Sequence, residues 1–132
     1  ARLPLVVGGR SAGARVAART AGEVGAAGVL LLAFPLVPPA ARADAAKHHQ
    51  ALEKRRPELV GPSRLGLPTV VVQGARDTFG TAAELRDVLR RVRGAEVVGV
   101  PGADHGLRST SADPGPVLLE AALRAVALAR GE

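Results

Sequence analysis

The chain contains no cysteine, methionine, tryptophan or tyrosine, and phenylalanine occurs only twice. The absence of cysteine excludes a disulfide framework and any metal site built on thiolate ligands. No apolar run approaches the roughly 20 residues that a membrane-spanning helix needs, so we expect no membrane partner. The start of the chain also lacks the basic segment, apolar centre and cleavage site of a signal peptide. We therefore expect a cytoplasmic protein.

The charge is unbalanced, with 18 Lys and Arg against 12 Asp and Glu and a formal net charge of +6. Nearly all of the positive charge is arginine, and it is dispersed among alanines and glycines instead of forming one basic stripe. Two phenylalanines leave little aromatic surface for stacking on bases. We therefore expect no nucleic-acid partner. A length of 132 residues is enough for one domain with its own hydrophobic core.

A G-x-S-x-G motif occupies residues 9–13. The apolar run Leu3–Val7 before it is typical of a buried strand, and residues 12–24 are compatible with a helix. On a sharp strand-to-helix turn, side chains two residues either side of the serine would collide, and glycines remove them. The motif therefore predicts that Ser11 projects above the sheet as a nucleophile and that the Ala12 N–H faces an oxyanion. The alternative is a glycine-rich turn that binds a phosphate or nothing.

The rest of the chain alternates between strand and helix patterns. This alternation predicts an α/β fold, a parallel four-stranded sheet with helices on both faces, in a single domain spanning residues 1–132. Residues 35–67 are predicted to form an irregular, cap-like insertion with one helix from Ala43 to about Arg55. The other predicted strands are Gly28–Phe34, Pro68–Gly74 and Glu96–Val100. One further helix is predicted to start at a Thr81–Glu84 capping box. The last predicted helix runs from Asp113-Pro114 to about Arg130, and its inward face consists of Leu118, Leu119, Ala122, Leu123 and Val126.

Three residue types of a catalytic triad follow three of the predicted strands. Ser11, Asp77 and His105 each come directly after a strand, in the chain order of α/β-hydrolases. The carboxyl ends of parallel strands meet at one edge of a sheet, which is where such sheets bind ligands. A serine nucleophile needs a base, and the base needs an acid that fixes its tautomer. Taken singly, His105 could be a loop histidine with a local hydrogen bond, and Asp77 could be a carboxylate that caps the next helix.

The adjacent His48 and His49 invite a metal-site interpretation, which the spacing does not favour. Neighbouring residues on a helix point about 100° apart, and no further histidine lies four residues from either one. We expect solvent-facing histidines there. No metal and no cofactor are predicted for this chain.

Three stretches together resemble a known family: Gly9–Gly13, Val72–Gly80 and Gly102–His105. The Q-G-x-R-D-x-F-G pattern in the second stretch is the most specific of the three. The family is that of the α/β-hydrolases, in particular its KANL3/Tex30-like and dienelactone-hydrolase-like members, and the resemblance covers essentially the whole chain. It implies that Ser11 is the nucleophile, Asp77 the acid and His105 the base.

These observations predict a serine hydrolase that acts on a small-molecule ester, thioester or lactone through an acyl-enzyme. Some members of the resembled family serve as scaffolds in chromatin complexes, so a non-catalytic interaction domain with the same fold is the alternative. The three retained triad residues favour the enzyme.

The predicted nucleophile strand, Leu3–Val7, lies almost at the first residue of the chain. The resemblance implies further strands upstream and, with them, a loop that supplies a second oxyanion donor, so we expect this chain to be the C-terminal part of a larger domain. The strand then has a neighbour on one side only. An apolar unpaired edge favours association, and we expect aggregation or a homodimer through it. Arg76 is expected to support the acid loop, which is the segment 75–80 that carries Asp77. The alternative is a solvated surface arginine.

Overall fold

The computed structural model of the chain describes residues 3–111 and 113–132. It contains four strands and four α-helices that alternate along the chain, with one short 3-10 helix at Pro39–Ala41. The strands are β1 (Val6–Arg10), β2 (Gly28–Leu32), β3 (Thr69–Gly74) and β4 (Ala95–Val100), and the helices are α1 (Ala12–Thr20), α2 (Ala45–Arg64), α3 (Ala82–Leu89) and α4 (Gly115–Ala129).

The strands form one parallel sheet, as predicted, and their order in it is β1-β2-β3-β4. Val6 pairs with Gly28, Val29 with Thr69, and Thr69 in turn with Ala95. Because all four strands run in the same direction, their carboxyl ends lie along one edge of the sheet. The loops that follow β1, β3 and β4 therefore meet at that edge.

Helices cover both faces of the sheet, which confirms the predicted layers. One core contains residues of α1, α2 and α3 packed against β2 and β3, among them Leu59, Leu85, Leu31 and Val71. The other core contains Ala121 and Ala125 of α4 with side chains that point from the strands in the opposite direction. Right-handed crossovers between strands that are adjacent in order place the three connecting helices on the same face, and α4 follows β4 onto the other.

β1 begins three residues later than the predicted strand Leu3–Val7 and continues through Gly8 and Gly9 to Arg10. Gly8 and Gly9 pair with Leu30 and Leu31 of β2. A Cβ at Gly8 would lie 2.6 Å from the Leu30 carbonyl oxygen, so glycine here permits close strand pairing. Leu3, which was assigned to the strand, lies outside it and is 93% exposed.

The segment 35–67 is more regular than predicted, because α2 continues to Arg64 through Pro57 and Pro62. A proline inside a helix removes one backbone hydrogen bond and normally kinks or ends it. Here the last turns of α2 are held by tertiary packing, since Leu59 and Val60 are buried in the core shared with α1. Glu58 adds ion pairs to Arg15 and Arg19 of α1. The prediction of an irregular insertion with a helix ending near Arg55 is therefore wrong.

The inward face of α4 also differs from the prediction. Leu119 and Leu123 are each 61% exposed, whereas Ala121 and Ala125 are buried. Small side chains let the helix approach the sheet closely, and a Cβ at Gly28 of β2 would lie 3.1 Å from that of Ala129. Although α4 is apolar on most sides, no helix within residues 3–111 and 113–132 is both long and apolar enough to cross a membrane. Of the five residues predicted to point inward, Leu118 packs against the core and Ala122 is half-buried, whereas Leu119, Leu123 and Val126 are exposed.

Candidate active site

Ser11 lies on a sharp turn between β1 and α1. Its backbone has φ 54° and ψ −120°, a conformation that L-residues rarely adopt and that persists only when the surroundings enforce it. A Cβ at Gly9 would lie 2.3 Å from the Gly13 carbonyl oxygen, so no residue with a side chain fits there without displacing the backbone. A Cβ at Gly13 meets nothing within 4 Å, so the predicted steric need for glycine at this position is wrong.

The turn brings Ser11 to the two other residues that the sequence singled out. Ser11 Oγ lies 2.8 Å from His105 Nε2. On the other side of the ring, His105 Nδ1 lies 3.0 Å from Asp77 Oδ1 and 2.9 Å from Oδ2. The hydroxyl, imidazole and carboxylate thus form one continuous chain of hydrogen bonds across the loops that follow β1, β4 and β3.

The direction of these hydrogen bonds follows from the partners. An ionised carboxylate only accepts hydrogen bonds, so Nδ1 of His105 carries the proton that it donates to Asp77. Nε2 of the neutral ring is then an acceptor and receives the hydrogen bond that Ser11 Oγ donates. Asp77 is 1% exposed, whereas the His105 side chain retains 24% of its exposure. The Asp77 carboxylate is therefore shielded from water, whereas the His105 imidazole remains partly open to solvent.

Two donors close to Asp77 in the sequence hold its carboxylate in place. The backbone N–H of Phe79 donates to Asp77 Oδ1 at 2.8 Å, and the side-chain amide of Gln73 donates to Oδ2 at 3.2 Å. The Phe79 ring also lies against the imidazole of His105, with ring centroids 4.2 Å apart. Sequence reasoning assigned no role to Gln73 or Phe79, although both belong to the Q-G-x-R-D-x-F-G pattern.

The loops after β3 and β4 touch each other directly. A Cβ at Gly74 would lie 2.4 Å from the Ala103 carbonyl oxygen, so this glycine permits the close approach. The backbone N–H of Arg76 donates to the same carbonyl at 2.9 Å. Within the β4 loop, the Asp104 carboxylate accepts from the N–H groups of Arg108 and Gly106, and the bond from Arg108 does most to lower the pKa of that carboxyl. These contacts shape the turn in which His105 sits.

Arg42, and not Arg76, is the arginine whose side chain supports the acid loop. Its Nε donates to the Thr78 carbonyl at 2.9 Å, and its Nη1 bonds Glu84 of α3 at 3.0 Å. The Arg76 side chain is exposed, and its guanidinium makes no hydrogen bond or ion pair within residues 3–111 and 113–132; it borders a surface cavity of about 350 Å³ that Arg108 also lines. The predicted support by the Arg76 side chain is therefore wrong, and the alternative of a solvated arginine describes it.

Glu84 serves both the start of α3 and the acid loop. Its carboxylate accepts from the Thr81 N–H, which together with the reciprocal bond from the Glu84 N–H completes the predicted capping box. Burial alone would raise the pKa of Glu84, but the bonds from Thr81 and Arg42 outweigh it and lower that pKa. Glu84 therefore keeps its charge, and its bond to Arg42, into mildly acidic solution.

The Ala12 N–H lies in the first turn of α1, immediately after Ser11. The first N–H groups of a helix have no partner within the helix, and the helix dipole adds partial positive charge at this end. The position thus suits an oxygen that gains negative charge next to Ser11.

The histidine pair on α2 lies apart from this arrangement. His49 Nε2 lies 3.0 Å from Glu53 Oε1, and the side chains of His49 and Glu53 are largely exposed. Among the residues that the structure describes, no group of three or more His, Cys, Asp or Glu side chains could hold a metal ion.

Comparison with known proteins gives one family and several similar folds. The model of a family described as an alpha/beta hydrolase domain matches residues 1–127. No curated protein sequence matches the chain significantly. An alpha-beta serine hydrolase homologue from Coxiella burnetii is 17% identical with a TM-score of 0.51, over 77% of this chain and 41% of that one.

Two further solved structures are similar. TT1662 from Thermus thermophilus is 23% identical with a TM-score of 0.56, over 89% of this chain and 53% of that one. A mutant of puromycin hydrolase complexed with PGG is 23% identical with a TM-score of 0.64, over 99% of this chain and 23% of that one. The chain thus spans about half or less of the length of each of these proteins, and at such identities the likeness is one of fold. Together with the family match, the parallel sheet and the strand-to-helix turn at Ser11 identify the chain as a member of the α/β-hydrolase family.

Proposed function

We propose that the chain carries the catalytic triad of a serine hydrolase that cleaves small carboxylic esters, thioesters or lactones through an acyl-enzyme. The observation that supports this most strongly is the hydrogen-bonded path from Ser11 Oγ through His105 to Asp77, with adjacent atoms 2.8 to 3.0 Å apart. Nucleophile, base and acid are each within the reach that proton transfer requires.

The reaction begins with a proton transfer. Nε2 of His105 takes the proton of the Ser11 hydroxyl as Oγ forms a bond to the carbonyl carbon of the substrate. The carbonyl oxygen becomes negative and is stabilised by the Ala12 N–H. When the tetrahedral intermediate collapses, the bond to the leaving group breaks, and His105 returns its proton to the departing oxygen or sulfur. Asp77 stabilises the imidazolium that exists between these two transfers.

The second half of the reaction repeats this sequence with water. His105 takes a proton from a water molecule, whose oxygen attacks the acyl carbon. The new tetrahedral intermediate expels Ser11 Oγ, which recovers its proton from His105, and the carboxylic acid is released. The partly exposed His105 ring gives water access to the base, whereas the buried Asp77 stays protected from it.

The KANL3/Tex30-like and dienelactone-hydrolase-like subfamily is the closer relationship that we propose within the α/β-hydrolases. It rests on the Q-G-x-R-D-x-F-G pattern at residues 73–80, several of whose members contact Asp77 or His105 in this structure.

Hydrolysis of an activated aryl ester tests the function, with Ser11→Ala as the decisive variant. We expect Ser11→Ala to lower kcat by at least about 10³-fold. Ser63→Ala is the matched control, because the Ser63 hydroxyl is buried in α2 without a hydrogen-bond partner among the described residues. This control should keep full activity. Equal turnover by Ser11→Ala and the unmodified chain, or no turnover by either, would favour the non-catalytic interaction domain.

A further inference from the structure

Gln73 is a fully buried polar side chain at the end of β3, next to the acid loop. It is 0% exposed and follows three buried valines in the strand. A buried side-chain amide without hydrogen bonds is costly, so its partners indicate what it does. Its oxygen accepts from the Phe34 N–H at 2.9 Å, and its nitrogen faces the oxygens of Phe34, Gly80 and Asp77.

The orientation of this amide is determined by its surroundings. Oε1 faces a backbone N–H, whereas Nε2 faces three oxygens: the Phe34 carbonyl at 3.0 Å, the Gly80 carbonyl at 2.7 Å and Asp77 Oδ2 at 3.2 Å. The reverse orientation would place an oxygen among three oxygens and leave the N–H of Phe34 facing a donor. The side chain therefore donates toward Asp77.

The Gln73 bond completes a clamp on the Asp77 carboxylate. Oδ1 is held by the Phe79 N–H at 2.8 Å and Oδ2 by Gln73. With one fixed donor at each oxygen, the carboxylate cannot rotate about its last bond without losing a partner. Both oxygens then stay within 3.0 Å of His105 Nδ1.

We infer that Gln73 is a positioning residue of the triad, which holds the orientation and the charge distribution of Asp77 and, through it, the proton affinity of His105. The inference rests on the proposed hydrolase function. It also gives a role to the first residue of the Q-G-x-R-D-x-F-G pattern. The two bonds with the Phe34 backbone connect the same amide to the segment that follows β2. The position of the acid loop is therefore fixed relative to a second strand.

Gln73→Met tests the inference, because methionine has a similar length and no hydrogen-bond donor. Without the Gln73 N–H, more negative charge remains on the oxygens that face His105, and the protonated imidazole is favoured. The acid limb of the kcat/KM profile should move to higher pH by roughly half a unit, and kcat per folded molecule should fall about tenfold, with KM nearly unchanged. The other charged groups of the two loops, namely Asp104 and Arg108 in the loop of His105 and Arg76 in the loop of Asp77, are unaltered.

Thr69→Val is the matched control at the opposite end of the same strand. Thr69 is also 0% exposed, and its hydroxyl donates to the Leu67 carbonyl at 3.1 Å. We expect this variant to lose stability and to keep the wild-type pH profile. If Gln73→Met loses stability in the same way but its profile and its kcat per folded molecule match the wild type, the inference is overturned.

Gln73→Glu keeps the shape of the side chain and serves if the methionine variant does not fold. A protonated Glu can still donate toward Asp77, whereas an ionised one cannot. The variant should therefore gain a descending alkaline limb in kcat/KM while circular dichroism shows it folded over the same range, and an unaltered profile would refute the inference. Ser11→Ala in the same assay separates the two proposals. If Ser11→Ala is active, the proposed hydrolase function is wrong. If Ser11→Ala is inactive but the Gln73 variants keep the wild-type pH profile, only the proposed role of Gln73 is wrong.

Discussion

Two regions of the sheet are held in different ways. At the carboxyl ends of β3 and β4, polar groups are bonded to one another: Gln73, Asp77 and His105 form a connected network with little exposure. Beside β1, apolar side chains face solvent instead, with Leu5 47% and Leu119 61% exposed. In the first region the polar side chains bond to one another within the described residues. The second region leaves apolar side chains exposed to solvent.

The position of α4 connects its exposed leucines to the β1 side. Arg124 bonds Glu96 of β4, so this flank of the helix lies over β4. Leu119 and Val126 are each about 200° around the helix axis from Arg124. They therefore lie on the opposite flank of α4, which is the flank toward β1. β1 itself is at one end of the strand order and pairs only with β2 among the described residues. We propose that this apolar side mediates self-association.

The largest effects are expected where the bonded network is broken. Asp77→Asn should lower kcat by about 10⁴-fold, because an amide that donates to His105 reverses the ring tautomer. His105→Ala should be at least as damaging. Combined with Ser11→Ala, either change should cost little more, since the three residues act as a unit. Steady-state ester hydrolysis measures this, and losses that multiply across the three sites would contradict it.

Gly9 and Gly13, which flank Ser11 in the turn between β1 and α1, test the packing of that turn. Gly9→Ala should destabilise the fold by about 3 kcal/mol or more, because its Cβ would lie 2.3 Å from a backbone oxygen. Gly13→Ala meets open space within α1 and should stabilise the chain by up to about 1 kcal/mol through helix propensity. Urea unfolding of both variants decides the matter. Equal stabilities would mean that the turn does not have the geometry described.

A smaller effect separates the two arginines near the acid loop. Arg42→Gln should lower the free energy of unfolding by about 1 kcal/mol, since it loses bonds to Thr78 and Glu84. Arg76→Gln should change it by less than about 0.5 kcal/mol because that side chain is solvated. Similar losses in the two variants, measured by thermal or urea unfolding, would show that Arg42 has no special role.

The Arg42 effect should also depend on pH. Because the pKa of Glu84 is lowered in the folded state, the stability from its ionised form is complete above the value of about 4.3 for an unfolded chain. It is lost as the pH falls through the lower folded pKa. The difference between the unmodified chain and Arg42→Gln should therefore shrink as the pH falls from about 4.3 through the lower folded pKa of Glu84.

The smallest change in folding stability is expected on the β1 side, where the readout is association. Leu5→Lys, next to the β1 edge, and Leu119→Lys, on α4, should each reduce self-association because lysine opposes pairing of edges and apolar surfaces. Each should change stability by less than about 0.5 kcal/mol. Analytical ultracentrifugation over a concentration series measures this. A chain that stays monomeric at every concentration, with or without the lysines, would refute the proposed association.

The parts of the structure that sequence predicted well are those where a local pattern leaves one choice. Continuous apolar runs and strand–helix alternation were enough for the parallel sheet, and the Thr81–Glu84 spacing was enough for a capping box. The proximity of Ser11, Asp77 and His105 followed from parallel strands ending at one edge. Their catalytic roles remain a prediction.

The parts that sequence did not predict depend on contacts between distant segments. Pro57 is typical of a helix end, and the packing of Leu59 and Val60, together with the ion pairs of Glu58, holds α2 beyond it. The buried face of α4 was predicted wrongly because apolar residues surround most of the helix. Gln73 and Arg42 reach partners 39 and 36 residues away, and their residue types alone do not reveal such bonds.

Labelling with a fluorophosphonate probe tests directly whether Ser11 is an activated nucleophile, because the probe reacts with an activated serine and needs no knowledge of the substrate. The sequence contains four serines, at positions 11, 63, 109 and 111, so mass spectrometry of the labelled peptides identifies the site. If His105 and Asp77 activate Ser11, we expect a single adduct on Ser11, strongly slowed in His105→Ala and Asp77→Asn and unchanged in Ser63→Ala. A folded chain that takes up no label, or one whose Ser11 reacts equally fast without His105, would contradict it.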